Sequence, residues 1–185
     1  VPDSEIDELF ARLQAPKNVE VYLASGRKRE DMDQWFSRYA FNLIAEHGYY
    51  YKHHNADEWI VFDTQADLSW KHQIIDIFQL YTGMTPGSSI EEKTSSVVWH
   101  YRNADPEFGN WKAHQLVAEL YEMLSNLPVE IRHGQKIVEV GSMQLNKGMV
   151  LGHFVQLHKY DAVLCAGDDE TDESMFRYVG DSELF

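Results

Sequence analysis

Three aspartates fall within five residues in the run Gly167-Asp168-Asp169-Glu170-Thr171-Asp172-Glu173. The stretch before it, Asp161 to Cys165, reads as a buried strand, and in open α/β sheets ligands gather at the carboxyl ends of strands. Hard carboxylate oxygens at such a place suit Mg2+. The run also reads as a solvated helix start, because carboxylates are favoured at helix N-termini. An EF-hand is disfavoured, since the glycine precedes the acids. A second group, Ser25-Gly26-Arg27, follows the apolar strand Val19 to Ala24 and opens a helix. It offers a hydroxyl, backbone amides and a guanidinium to a phosphate, although Ser-Gly turns also simply cap helices. Lys147-Gly148 opens a further helix, where a lone cation is poorly placed and an anion nearby is expected. None of the three carries the chemistry alone. In the order hydroxyl, lysine, acidic loop, each at a strand end or helix start, they have the form of a metal-dependent phosphoryl-transfer site.

The elements that must position these groups alternate between helical and strand periods, the pattern of an α/β layer fold with a largely parallel sheet. Ser4 and Asp7 start a helix with Ile6, Leu9, Phe10 and Leu13 on one face, and Pro16 ends it. Met32, Trp35, Phe36 and Tyr39 mark the buried side of the helix after Arg27. Phe41 to Ala45 repeats the strand pattern into Glu46-His47-Gly48, and Tyr49 to Tyr51 with Glu58 to Phe62 reads as a hairpin. Asp67 caps a long helix carrying Leu68, Ile74, Ile75, Phe78 and Tyr81 inward.

The texture changes at Gly83 to Ser89, a Gly, Pro, Ser and Thr stretch that reads as a hinge. In Thr94 to Tyr101, Ser95, Val97, Trp99 and Tyr101 share one face against Ser96, Val98 and His100, as in an antiparallel sheet with one covered face. Asp105-Pro106 starts a helix with Ala113, Leu116, Val117, Leu120 and Leu124 inward, and Val129 to Val140 is a hairpin. The expected division is a core of residues 1–85 and 146–185 with an inserted α+β cap, or lid, at 86–145.

Composition removes several classes of function. With 30 acidic against 16 basic side chains the net charge is −14, which opposes binding to a phosphate backbone and makes nucleic acid an unexpected partner. No apolar run approaches the roughly 20 residues needed to span a bilayer. One cysteine, Cys165, permits no internal disulfide and suits a reducing compartment, so a cytoplasmic location is expected.

The segments Leu23 to Arg27, Leu43 to Gly48, Glu92-Lys93 through His100-Tyr101-Arg102, Val138-Glu139-Val140 through Lys147-Gly148, and Cys165 to Glu173 together resemble trehalose-6-phosphate phosphatases of the haloacid-dehalogenase superfamily. The wording is most similar to the phosphatase module of fungal trehalose-synthesis proteins. The resemblance implies a Rossmann-like core with a parallel sheet, an inserted α+β cap, Mg2+ as cofactor, and trehalose 6-phosphate as the sugar phosphate substrate. It also implies a trehalose-6-phosphate synthase domain or subunit as partner. Ser25, Gly26 and Arg27 match the phosphate-binding turn and Lys147 the charge-balancing lysine. Asp168 matches a direct metal ligand, Asp169 a further one, and Asp172 acts through a coordinated water or by positioning Lys147. Glu91, Lys93, Arg102 and Glu139 match cap residues that hold glucose hydroxyls, with lid closure needed for specificity.

One part of that pattern is missing. The superfamily's Asp-x-Asp nucleophile motif follows an apolar strand, whereas the sole Asp-x-Asp spacing here, Asp31-Met32-Asp33, sits inside a helix. The nucleophile strand is expected upstream of Val1 and further core strands after Phe185. The 185 residues by themselves are expected to bind phosphate without turning it over. The alternative implied function is a catalytically inactive homologous domain with a regulatory or scaffold role in a trehalose-synthesis complex.

Overall fold

Leu43, Ile44 and Ala45 follow one another without a polar interruption because their strand is covered on both sides, as buried parallel strands are. In the computed structural model, which describes residues 4–63 and 65–181, this strand belongs to the first of two compact units. The first unit comprises Val1–Thr64 with Leu145–Phe185, and the second Gln65–Gln144.

The first unit runs α1 (Ser4–Leu13), β1 (Tyr22–Ala24), α2 (Arg29–Phe36), β2 (Asn42–Ala45), β3 (Tyr50–Lys52) and β4 (Ile60–Val61). It resumes with α5 (Lys147–His158) and α6 (Glu173–Asp181). The sheet order is β1-β2-β3-β4, with β1 parallel to β2 in the register Leu23 to Leu43 and the remaining pairs antiparallel. Met32, Tyr39, Phe41, Leu43 and Ala45 form one core layer, while Ile44, Val150 and Phe154 form another. Asp33 on α2 is tied to Lys52 Nζ (2.7 Å) and Trp59 Nε1 (2.7 Å), which binds the helix to the β3-β4 hairpin. On α1, Phe10 packs on Phe36, Tyr39 and Phe41, but Ile6, Leu9 and Leu13 remain exposed.

Two expectations are corrected here. Asp161 to Cys165 forms no strand: it pairs in no ladder among the described residues, and Leu164 is 94% exposed. An apolar run specifies a strand only where a neighbouring ladder and a covering layer accept it. The second correction concerns the unit boundary, expected at 86 and found at Gln65. The helix α3 (Lys71–Met84) buries Ile74, Phe78 and Tyr81 in one cluster with Val97, Trp99 and Ala113, so it belongs with the second sheet. Each such large apolar side chain contributes roughly 1.5–3 kcal/mol when fully buried, which outweighs the local Gly-Pro-Ser texture in deciding where the unit begins.

The second unit continues with β5 (Ser89–Glu92), β6 (Ser96–His100), α4 (Pro106–Leu124), β7 (Val129–Gly134) and β8 (Ile137–Ser142). Its sheet is antiparallel throughout, in the order β5-β6-β8-β7. Val97, Trp99, Val138 and Val140 point into the core with α3 and α4, so strand alternation sends Glu91, Ser96 and Glu139 to the opposite face. Asp105 caps α4, its side chain accepting from the Phe108 amide at 2.9 Å. Among the described residues no helix is long and apolar enough to cross a membrane.

Candidate functional site

The first unit brings Lys147 and the acidic run into direct contact. Asn146 caps α5, accepting from the Met149 amide at 3.0 Å, and thereby sets Lys147 at the first helical position. Lys147 is 5% exposed, and its Nζ donates to Asp172 Oδ1 at 2.7 Å and lies 3.9 Å from Asp169 Oδ1. Asp172 is equally buried, and its second oxygen accepts from the amides of Asp168 (3.1 Å) and Asp169 (3.2 Å). The short 3-10 turn Glu170–Asp172 is closed by a capping box in which the Asp169 side chain accepts from the Thr171 amide. The hydroxyl of Ser174, just beyond that turn, accepts from the Gly148 amide at 3.0 Å and locks the start of α5 to the start of α6.

Asp172 therefore spends both oxygens on donors of its own unit, whereas the carboxylates of Asp168 and Asp169 are exposed. One oxygen from each of the three lies within 4.8 Å of the others. This is a donor set of the hard kind that fits Mg2+, which is held through one or two carboxylates with waters and substrate oxygens completing the shell. Burial works to raise the Asp169 carboxyl, but the hydrogen bonds from Thr171 and the Lys147 charge more than reverse this and hold it below the ordinary carboxylate value.

The turn Ser25-Gly26-Arg27 continues β1 beyond its last strand residue. The Ser25 amide donates to the Ile44 carbonyl (2.9 Å), while the carbonyls of Ser25 and Arg27 accept from the amides of His47 (3.1 Å) and Glu46 (3.0 Å). The Arg27 amide lies 3.3 Å from Ser25 Oγ, and the Arg27 guanidinium lies over the Trp35 ring, 4.4 Å from its centroid. His47 was not among the expected site residues. The available signal was a buried-type strand running directly into Glu-His-Gly, a place where ligands collect in this fold class.

In the second unit, Lys93 Nζ donates to the buried Glu139 at 3.2 Å, and the Ser96 hydroxyl donates to the same oxygen at 2.6 Å. Glu91 pairs with His100 Nε2 at 2.9 Å. Arg102 is exposed in the turn that follows β6, at the opposite end of that strand from Lys93. The structure thus joins Lys93 to Glu139 and sets Arg102 apart from the pair. Ser96, also outside the expected set, was visible in the alternation only as a polar residue facing away from the core.

A trehalose-phosphatase family model matches residues 1–183. A trehalose-phosphatase of Schizosaccharomyces pombe is 38% identical over 183 residues, covering 96% of this chain and 22% of that protein. An alpha,alpha-trehalose-phosphate synthase (UDP-forming) B of Dictyostelium discoideum is 33% identical, with 96% of this chain and 22% of that protein covered. The chain thus spans about a fifth of the length of these curated relatives. Among solved structures, the C-terminal domain of the Candida albicans trehalose-6-phosphate phosphatase superposes with a TM-score of 0.88 at 32% identity, covering 98% of this chain and 67% of that one.

Proposed function

Because the chain belongs to the trehalose-phosphatase family and has its haloacid-dehalogenase-like fold, we propose that it forms part of a Mg2+-dependent phosphatase hydrolysing trehalose 6-phosphate to trehalose and phosphate. The first unit would hold the phosphate and the metal, and the second the sugar. The observation that carries this reading is the buried Lys147–Asp172 pair with the two loop amides gathered on Asp172. An ammonium has three donors, and Asp172 takes one, which leaves Lys147 able to meet a phosphate oxygen while staying fixed. The turn Ser25-Gly26-Arg27 would offer a hydroxyl and a guanidinium to the same phosphate.

Asp168 and Asp169 are the residues that would hold Mg2+, and Asp172 acts by orienting Lys147 and the loop. The bound ion would neutralise charge on the phosphoryl oxygens. Glu91, Lys93, Arg102 and Glu139 would bind sugar hydroxyls through charge-assisted hydrogen bonds. Asp33 is committed to Lys52 and Trp59, and Asp31-Met32-Asp33 lies within α2, so we read this motif as helix surface and not as the attacking carboxylate. We also place the protein in the cytoplasm, beside a synthase region of a longer chain or complex, as the naming of the Dictyostelium relative supports. A purely scaffolding role is the weaker reading, because it leaves the exposed Asp168 and Asp169 carboxylates beside Lys147 without a use.

The test is phosphate release from trehalose 6-phosphate by the full-length protein, together with calorimetric titration of Mg2+. Asp168→Asn is expected to abolish both. Activity that persists in EDTA would contradict the metal's role.

A further inference from the structure

We infer that the buried loop Glu46–Gly48 is a positioning element for the phosphate-binding turn, with His47 as the side chain that fixes it. The inference rests on the reading of Ser25–Arg27 as the turn that meets phosphate.

Three consecutive residues of this loop have positive φ: Glu46 at 49°, His47 at 58° and Gly48 at 117°. Left-handed backbone is unfavourable for residues carrying a Cβ, and two in succession persist only where the surroundings over-determine them. Glu46 and His47 are buried, at 3% and 8% exposure, in a loop that follows directly on β2.

The surroundings that hold the loop are the two parts of the proposed phosphate site. Because the Glu46 and His47 amides take the carbonyls of Arg27 and Ser25, the oxygens that would repel an anion are drawn toward the loop. The His47 ring fills the space beside Gly26 so closely that a Cβ at position 26 would collide with its Nε2 and Cε1. On its other flank, a Cβ at Gly48 would come within 2.5 Å of Val150 and 3.3 Å of the Asn146 carbonyl, so the loop is seated on the first turn of α5, where Lys147 begins. One three-residue loop thus sets the turn that carries the hydroxyl and the helix that carries the ammonium. His47 acts through Ser25, Gly26 and Lys147, and we assign it no contact with substrate.

The experiment uses the full-length protein and reads the affinity for inorganic phosphate, as a competitive inhibitor, beside the calorimetric affinity for Mg2+. His47→Ala is expected to weaken phosphate by about tenfold to a hundredfold, the scale of a small misplacement of binding groups, while Mg2+ affinity stays within twofold. His47→Asn, which tolerates left-handed backbone, is expected to recover part of that loss. Gly26→Ala alone is expected to lose phosphate binding, and the Gly26→Ala/His47→Ala double variant to regain some of it, because removing the ring makes room for the new methyl. Unchanged phosphate affinity in His47→Ala would overturn the inference. So would equal losses of phosphate and Mg2+ affinity in His47→Asn, because a general loosening of the unit moves both. If His47→Ala does not fold, the His47→Asn measurement decides. Should the unsubstituted protein fail to bind inorganic phosphate, the reading of Ser25–Arg27 itself falls; that result is distinguishable from binding that His47 does not influence.

Discussion

Each unit contains a buried lysine–carboxylate pair, and the two are built differently. Lys147–Asp172 closes at 2.7 Å, and Asp172 also accepts two backbone amides, so the pair is part of the chain's path through the acidic loop. Lys93–Glu139 closes at 3.2 Å, and the side chain of Ser96 also donates to that oxygen. The first arrangement cannot change without moving backbone. In the second, the Lys93 and Ser96 donors are side chains, which turn about their own bonds. A fixed charge suits phosphate, whose shape does not vary, and an exchangeable network suits a sugar that offers several hydroxyls as both donors and acceptors.

The largest effect is expected where this contrast is broken at the rigid end. Lys147→Ala leaves Asp172 charged and buried without its partner, which should cost about 3–5 kcal/mol of unfolding free energy in a urea titration and abolish phosphate release. A variant of unchanged stability would show that the backbone amides alone satisfy Asp172. Glu139→Gln, at the exchangeable end, is expected to cost about 1–2 kcal/mol. Its KM for trehalose 6-phosphate should rise about tenfold while small generic phosphoesters are turned over as before; equal losses on both substrates would remove the distinction between the units.

Acid and alkali offer further tests of both units. The Asp169 carboxyl is held below its ordinary value, so its contribution is present above the ordinary carboxylate range and is lost as pH falls through it. Thr171→Ala should shrink that acid dependence, measured by unfolding at several pH values in chelated buffer. In the second unit, burial and the hydrogen bond to Glu119 push the Tyr81 phenol up to about 12 from 10.0. That raised value stabilises the neutral form, so the contribution is full below 10 and is lost as pH rises toward 12. Tyr81→Phe should reduce the alkaline dependence, to which the raised Tyr160 of the first unit also contributes, and leave the acid limb alone. The smallest effect is expected for Arg102→Ala: within about 0.5 kcal/mol in stability, as for exposed positions generally, with a measurable loss of selectivity for the sugar phosphate over generic esters.

Much of this was legible in the sequence because it is local. A helix opening at Lys147-Gly148, a polar turn after a short apolar strand and an acid run at a helix start are decided within a few residues. The alternation around Trp99 likewise separated the core face from the Ser96 face. What escaped depends on partners distant in sequence. Asp161 to Cys165 has the residues of a strand but no ladder among the described residues, and the allegiance of α3 is decided by Trp99 and Val97 rather than by anything within the helix. The strand end at Glu-His-Gly marked the place of His47 but not its role, which lies in the missing side chain at Gly26, twenty-one positions earlier.

The stack of the Arg27 guanidinium on Trp35 gives the phosphate turn an optical consequence. A cation held over an indole face alters that ring's emission, and an arriving phosphate competes with the ring for the same cation. Titration with inorganic phosphate should therefore change tryptophan fluorescence, and Trp35→Phe should abolish the change although four other tryptophans remain. Occupancy of the site could then be followed by light, independently of turnover.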